Sequence, residues 1–388
     1  MAWRRGFGDN LAMRRIEIKQ LDYDLTPVGG LALVGHYLRA MTPQWARRDG
    51  ELPLRGGVSN SDVLRSYLGL LVQGKSDFDA VENYRGDKFF KEALCPLAAY
   101  LGSHSFRLEL ALRPGVQHFT RETDFNLERV IPLAQRLSAA GPKAQSLARL
   151  DSGFDPAALM RSVEACNQSG QPQVDWLIKW NPRSVDRAAL LARLDAEPST
   201  RWHKPRAGKR VTVWEEAIKV ESITRPLRRV FRLIERDIDR SGRQLIVPEI
   251  ELEGWTTSLL EGQFSADKIM APYADHGTHE QFYSEFKTDL DLERLPSGKF
   301  DTNYLVCQLA ALAMNILRLM GQRGLLGPDA PVRHPAKRRR IKTVIHELIY
   351  RAGRLIEHGR RLILGLGAND RAAKAFARLN GELFAASS

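Results

Sequence analysis

Apolar positions change their rhythm along this chain. From Asp62 to Val72 they recur at helical spacing, and Phe78 to Leu94 continues in that style after Gly74-Lys75, so residues 1–95 read as mostly helical. From Pro96 the apolar residues gather in short runs. Leu97–Leu101 and Phe106–Leu112 flank Gly102-Ser103-His104, a hairpin turn by composition, and Leu147–Leu150 and Trp176–Lys179 are two further strands. A helix over Phe125–Leu137 separates the two pairs, and another starting near Pro156 makes a strand–helix–strand unit. Between Asn181 and Met270 two hairpins are predicted, Val211–Trp214 with Ile218–Ile223 and Phe231–Ile234 with Gln244–Val247. Glu253–Leu259 then forms a strand returning the chain to the core, and Asn303–Gly321 and Ile341–Leu364 are predicted helices.

Composition narrows the classes of function. The 388 residues, 43% of them hydrophobic, allow two or three domains with a real core. A formal charge of +12 and a pI near 9.7 point to a polyanionic partner. No stretch approaches the roughly 20 apolar residues of a membrane-spanning helix, and the basic start, Met1 to Asn10, lacks the apolar run of a signal peptide. Cys95, Cys166 and Cys307 are too scattered for a zinc spacing or a disulfide set, which suits a reducing cytoplasm.

The charge is concentrated. Residues 328–388 hold thirteen Lys/Arg against five Asp/Glu, including the run Lys337-Arg338-Arg339-Arg340-Ile341-Lys342, and residues 201–243 hold thirteen against six. Such runs are usually solvated faces; with a nucleic-acid partner they become phosphate contacts.

One motif carries the chemistry: Tyr273-x2-His276-x3-Glu280-x6-Lys287. Seven residues are about two turns at roughly 3.6 residues per turn, so on an α-helix Glu280 and Lys287 leave one face. A carboxylate there can hold a metal ion while the lysine touches a phosphate. The spacing is similar to the Tyr-x2-Arg-x3-Glu-x6-Lys signature of bacterial insertion-sequence transposases of the Asp-Asp-Glu type, with His276 standing where that signature has Arg. Arg149–Asp155 (RLDSGFD) resembles the segment with the family's second catalytic aspartate, at Asp151 here. Leu25–Ala40 and Ser61–Leu94 resemble the helical N-terminal region of one branch, and Phe300–Gly321 resembles the helix after the catalytic Glu.

The resemblance implies an α+β chain built on a ribonuclease-H-like domain. Its expected parts are a helical DNA-end-binding or dimerisation region (1–95), the first part of the catalytic domain (96–180), a β-rich insertion (181–270), the catalytic-Glu helix with its successor (271–325), and a basic helical C-terminus (326–388). It implies Asp151 and Glu280 as catalytic metal ligands for two Mg2+ ions, which such sites hold roughly 3.5 to 4 Å apart. Tyr273, His276, Lys287, Lys337, Arg338, Arg339 and Arg340 become the expected DNA contacts. The partners are double-stranded DNA, as terminal inverted repeats and target, and a second copy of the chain.

The family's first catalytic aspartate has no counterpart. It belongs to an apolar strand between the segments resembling Phe89–Leu94 and Pro96–Gly102, and here only Cys95 lies between them. Asp77, Asp79, Asp87 and Asp124 sit in polar helical or loop segments. The expected consequence is a sheet lacking its first, central strand, and an enzyme of DNA cleavage and strand transfer impaired in that activity. The alternative is a non-enzymatic DNA-binding protein that inhibits intact transposase. Each residue also has a plainer reading: Asp151 as a turn former before a helix, Glu280 and Lys287 as solvent-facing helix residues, His276 with His279 as a pair lacking a third ligand.

Overall fold

The computed structural model describes residues 25–51, 59–77, 94–101, 106–114, 123–139, 146–150, 156–167, 172–221, 223–239, 241–274, 277–327, 329–331, 336–358 and 361–387. A short strand β1 (Leu25–Thr26) precedes helices α1 (Leu31–Arg39), α2 (Thr42–Glu51) and α3 (Asn60–Leu71). Then come β2 (Leu94–Leu101), β3 (Phe106–Pro114), α4 (Thr123–Ala139), β4 (Ser146–Leu150), α5 (Pro156–Cys166), β5 (Val174–Trp180) and α6 (Arg187–Ala196). Four strands follow, β6 (His203–Arg206), β7 (Lys209–Ile218), β8 (Leu227–Ile238) and β9 (Gln244–Thr257). The chain continues through α7 (Ala266–Ala274), α8 (Gly277–Ser284), a π-helical turn (Glu285–Asp289) and α9 (Phe300–Gly324). It ends in α10 (Ile341–Val344), a second π turn (Ile345–Ile349), β10 (Gly353–His358), β11 (Arg361–Leu366) and α11 (Ala373–Ser387). Of the predicted helical segment Phe78–Leu94, residues 78–93 lie outside the described residues, as does the turn Gly102–His104, and Leu94 opens β2.

The expected strand–helix–strand unit is present: β4 and β5 run parallel, Leu147 opposite Asp175, with α5 between them. They belong to a six-stranded sheet of order β4-β5-β9-β8-β7-β6, antiparallel apart from that first pair. The strands after residue 200 therefore extend the sheet of β4 and β5. Both predicted hairpins are corrected. Ile218 ends β7 and pairs with Leu227 of β8, and the tight turn lies earlier, at Ala207-Gly208. Phe231 faces Gly254, so Gln244 to Thr257 is one long strand, where the sequence suggested two. Apolar side chains at Val230, Phe231, Leu233 and Ile234 are buried, as expected of a central strand covered on both faces. Trp176 and Trp255 are core residues.

The β2–β3 hairpin forms a sheet of its own. Among the described residues it shares no strand with the six-stranded sheet. What holds it is α9: Asn315 accepts from the Arg107 amide at 2.8 Å and donates to the Arg107 carbonyl at 2.9 Å, and Gln308 donates to the Leu110 carbonyl.

α9 is the axis of the larger apolar core. Ala310, Ala313, Met314, Leu317 and Met320 are fully buried among Leu33, Leu68 and Leu71 of the N-terminal helices and Ile341, Leu348 and Leu379 near the C-terminus. Ala, Leu and Met are strong helix formers. The helix corrects the expectation that no segment is long and apolar enough to cross a membrane: within its 25 residues a stretch of 18 reaches a mean hydropathy of 1.5. Most of that stretch, 61%, is buried inside the fold, and a helix surrounded by its own protein is apolar all round for that reason.

The C-terminal region departs from its helical prediction. Apolar residues at Ile341, Val344, Ile345, Leu348 and Ile349 keep helical spacing, but the helix ends at Tyr350. Gly353–His358 and Arg361–Leu366 are antiparallel strands, joined by Leu25–Thr26 as a third. Gly353 accepts the close approach of Leu364, whose side chain would lie 2.6 Å from an added Cβ. Gly30 allows a similar approach, since a Cβ there would stand 1.8 Å from the Leu348 carbonyl oxygen.

Candidate functional site

The motif occupies three consecutive pieces of helix. Tyr273 lies on α7 and Glu280 on α8, both placed by their backbone; His276 and Asp151 lie outside the described residues, Asp151 directly after the end of β4. Lys287 sits in the π turn, exposed, with its Nζ 5.8 Å from the centroid of the Tyr283 ring. A π turn is wider than an α turn. The π turn interrupts the unbroken α-helical spacing that would set Lys287 on one row with Glu280.

The turn is fixed by two buried carboxylates on either side of Lys287. Glu285, fully buried, accepts from Arg318 Nη2 at 2.6 Å, from Arg338 Nη1 and from the Ile341 amide at 3.1 Å. Arg318 itself is 1% exposed, and burial pushes its guanidinium below the ordinary arginine range while the Glu285 charge opposes that shift. Asp289 accepts from Arg340 through Nε at 2.9 Å and Nη2 at 2.8 Å, and from the Lys342 amide at 3.0 Å. The hydrogen bond to Asp289 raises the Arg340 pKa further. Charge-assisted, forked contacts of this kind are the strong class of hydrogen bond.

Arg338 reaches back as well, donating to Gln281 Oε1 at 2.7 Å and lying over the Phe282 ring at 4.6 Å. Arg339 donates to the Leu325 carbonyl at 2.9 Å, and its own carbonyl accepts from Arg318. The arginines of the basic run thus have structural partners; Lys337 is exposed. An open cavity of about 380 Å3 lies against the clamp, lined by Thr288, Arg340, Lys342, Thr343 and His346 among others. A second cavity, about 400 Å3 between α6 and β7, contains none of the motif residues.

Arg318 is the residue the sequence reading passed over. Its signal was available: a lone arginine inside the apolar run Ile316-Leu317-Arg318-Leu319-Met320 calls for an anion when the run is buried. From sequence Glu285 is only a rival for Glu280 that breaks the spacing to Tyr273. Among the described residues no three His, Cys, Asp or Glu side chains gather as a metal site.

Residues 61–388 match the family model described as Transposase DDE domain group 1. A search of the curated proteins finds no match.

Proposed function

Because the chain belongs to the family of DDE transposase domains, group 1, we propose that it is an insertion-sequence transposase by descent that binds double-stranded DNA and has lost the strand bearing its first catalytic aspartate. The observation that carries the reading is the family match over residues 61–388, which includes the motif ending in Glu280 and Lys287. The split sheet supports the second half. In a ribonuclease-H-like sheet the missing strand would lie near the centre, and here the β2–β3 hairpin stands apart from the sheet that holds β4.

In this reading Asp151 and Glu280 are the remaining catalytic carboxylates, Lys287 steadies a backbone phosphate, and Tyr273 and His276 meet the terminal nucleotides. Lys337 and Lys342 are exposed cations of the basic run, and Arg340 stays partly exposed beside Asp289. The family typically uses a divalent metal, and Mg2+ is the ion that oxygen ligands of this kind suit. The donor set does not fit a two-ion cradle. The acids next along from Glu280, at Glu285 and Asp289, are committed to arginines, so among the described residues none supplies the third carboxylate beside Asp151 and Glu280. No cleavage chemistry follows from it.

The function that remains is binding of DNA ends, as a dimer, in the cytoplasm with the nucleoid, in competition with intact transposase. The test is cleavage of DNA carrying the element's ends in Mg2+ or Mn2+, with Asp151→Ala and Glu280→Ala as controls. Binding without cleavage is the expected result. Cleavage that both substitutions abolish would mean that another carboxylate has taken the missing place.

A further inference from the structure

We propose that Glu285 and Asp289 are positioning residues: held by Arg318, Arg338 and Arg340, they fix the π turn that presents Lys287 to a DNA phosphate. The inference rests on the reading of Lys287 as a phosphate contact. It reassigns the arginines of the basic run from binding DNA directly to setting the geometry of a residue that does.

The argument starts from the turn itself. Five residues with i→i+5 bonding are a rare conformation, frequent at functional sites, and rare conformations persist when their surroundings over-determine them. Here the surroundings do. Glu285, two residues before Lys287, takes three donors, and Asp289, two residues after it, takes Arg340 and the Lys342 amide. Both carboxylates point inward, whereas Lys287 and Thr288 face solvent. Arg338 also bridges the π turn to α8 through Gln281 and Phe282, tying the turn to the helix that carries Glu280. The far end of the turn is set by the N-terminal helices. Gly74 has φ +72°, and an added Cβ would come 2.6 Å from the Asp289 carbonyl oxygen. Next to it Ser76 donates to the Asp291 carbonyl. Contacts from three separate stretches of chain therefore converge on the five residues that orient one exposed lysine.

A purely electrostatic view makes the opposite prediction from positioning, and that decides the experiment. Affinity of the full chain for an end-bearing DNA duplex is measured by fluorescence anisotropy over a salt series for wild type, Lys287→Ala, Asp289→Asn and the double variant. Losing one phosphate contact flattens the log–log salt slope by about 0.9, a loss on the order of five- to tenfold at about 0.1 M salt. Removing the negative charge of Asp289 ought, by charge alone, to strengthen binding to DNA. Positioning predicts instead that Asp289→Asn weakens binding by a similar factor and has no further effect in the Lys287→Ala background.

Arg340→Ala and Arg340→Lys extend the test should Asp289→Asn fold poorly. Arg340→Ala is expected to behave as Asp289→Asn does, with partial recovery in Arg340→Lys, and its loss is likewise expected to vanish without Lys287. Unchanged or tighter binding by Asp289→Asn, or losses that add to that of Lys287→Ala, overturns the positioning role while leaving Lys287 as a contact. If Lys287→Ala leaves affinity and slope unchanged, the phosphate contact is wrong and the inference falls with it.

Discussion

Glu285→Ala removes the acceptor on which two arginines and a backbone amide converge. Glu285 has no exposed surface and the Arg318 side chain only 1%, so the substitution leaves a guanidinium buried without its counter-charge. Breaking a buried ion pair in this way costs about 3–5 kcal/mol. The Ile341 amide, buried as well, also loses its partner, and an unsatisfied buried donor costs roughly 1–3 kcal/mol by itself; the two losses share one site and do not simply add. Arg338, at the margin with 10% of its side chain exposed, can turn to water. Taking about 3–5 kcal/mol as the whole effect, and about 2–4 °C per kcal/mol for a cooperative unit of about 150–250 residues, the melting temperature falls by roughly 6–20 °C. The assay is thermal unfolding followed by circular dichroism, without DNA, at fixed pH and salt. The double variant Glu285→Leu with Arg318→Met removes both charges and keeps apolar volume, so it is expected to recover most of the loss. A Glu285→Ala protein melting within about 2 °C of wild type would show that these charges are solvated, and the clamp would then have no energetic standing.

Two further outcomes are expected. Gly74→Ala introduces a Cβ 2.6 Å from the Asp289 carbonyl at a left-handed backbone position, φ +72°, and is expected to cost about 1–3 kcal/mol in a urea titration; an unchanged midpoint would argue against that docking. Asp49 accepts from the Ser61 hydroxyl at 2.6 Å and its amide at 2.8 Å, which holds its carboxyl below the ordinary 3.8. A depressed folded-state pKa stabilises the fold above 3.8 and ceases to do so as pH falls through the lower folded value. Asp49→Asn should therefore melt below wild type at about pH 6, with the gap narrowing steadily as pH falls below 3.8; a gap that does not narrow in acid would assign it to packing.

Elements whose information is local were legible. The helix at Asn60–Leu71, the strands at Ser146–Leu150 and Val174–Trp180, and the helix between Thr123 and Ala139 follow from spacing alone. Pairing was not, because register depends on partners: Ile218 and Phe231 lie in strands as expected, yet face Leu227 and Gly254. The C-terminal misreading has a similar cause. Apolar spacing stays helical through Ile349, and the residues beyond it suit a strand once Leu25 and Thr26 supply an edge over 300 residues away in sequence. The motif at Tyr273–Lys287 was readable because its chemistry is local. The clamp was not, since Glu285 meets Arg318 and Arg338 across 33 and 53 positions and the arginine run looks, by composition, like a solvated face.

The separation of the apolar cores explains how binding can outlast catalysis under the proposed reading. Lys287 stands on a turn whose neighbours Phe286 and Leu290 are buried in the core around α9, shared with Leu68, Leu71, Ile341 and Leu379. The sheet beside Asp151 rests on a different cluster, Leu127, Ile131, Met160, Val163 and Trp176. A strand lost next to β4 removes hydrogen bonds and apolar contact from the second cluster. The first, which also takes in Leu110 of β3, keeps the ion pairs of Glu285 with Arg318 and Arg338 and of Asp289 with Arg340. Stability is not uniform across a structure, and units with separate cores open at separate free energies. Damage to the catalytic sheet is therefore compatible with an intact platform for Lys287. That platform, held together by the C-terminal arginines, is the part of the ancestral machine that a DNA-binding descendant would need to keep.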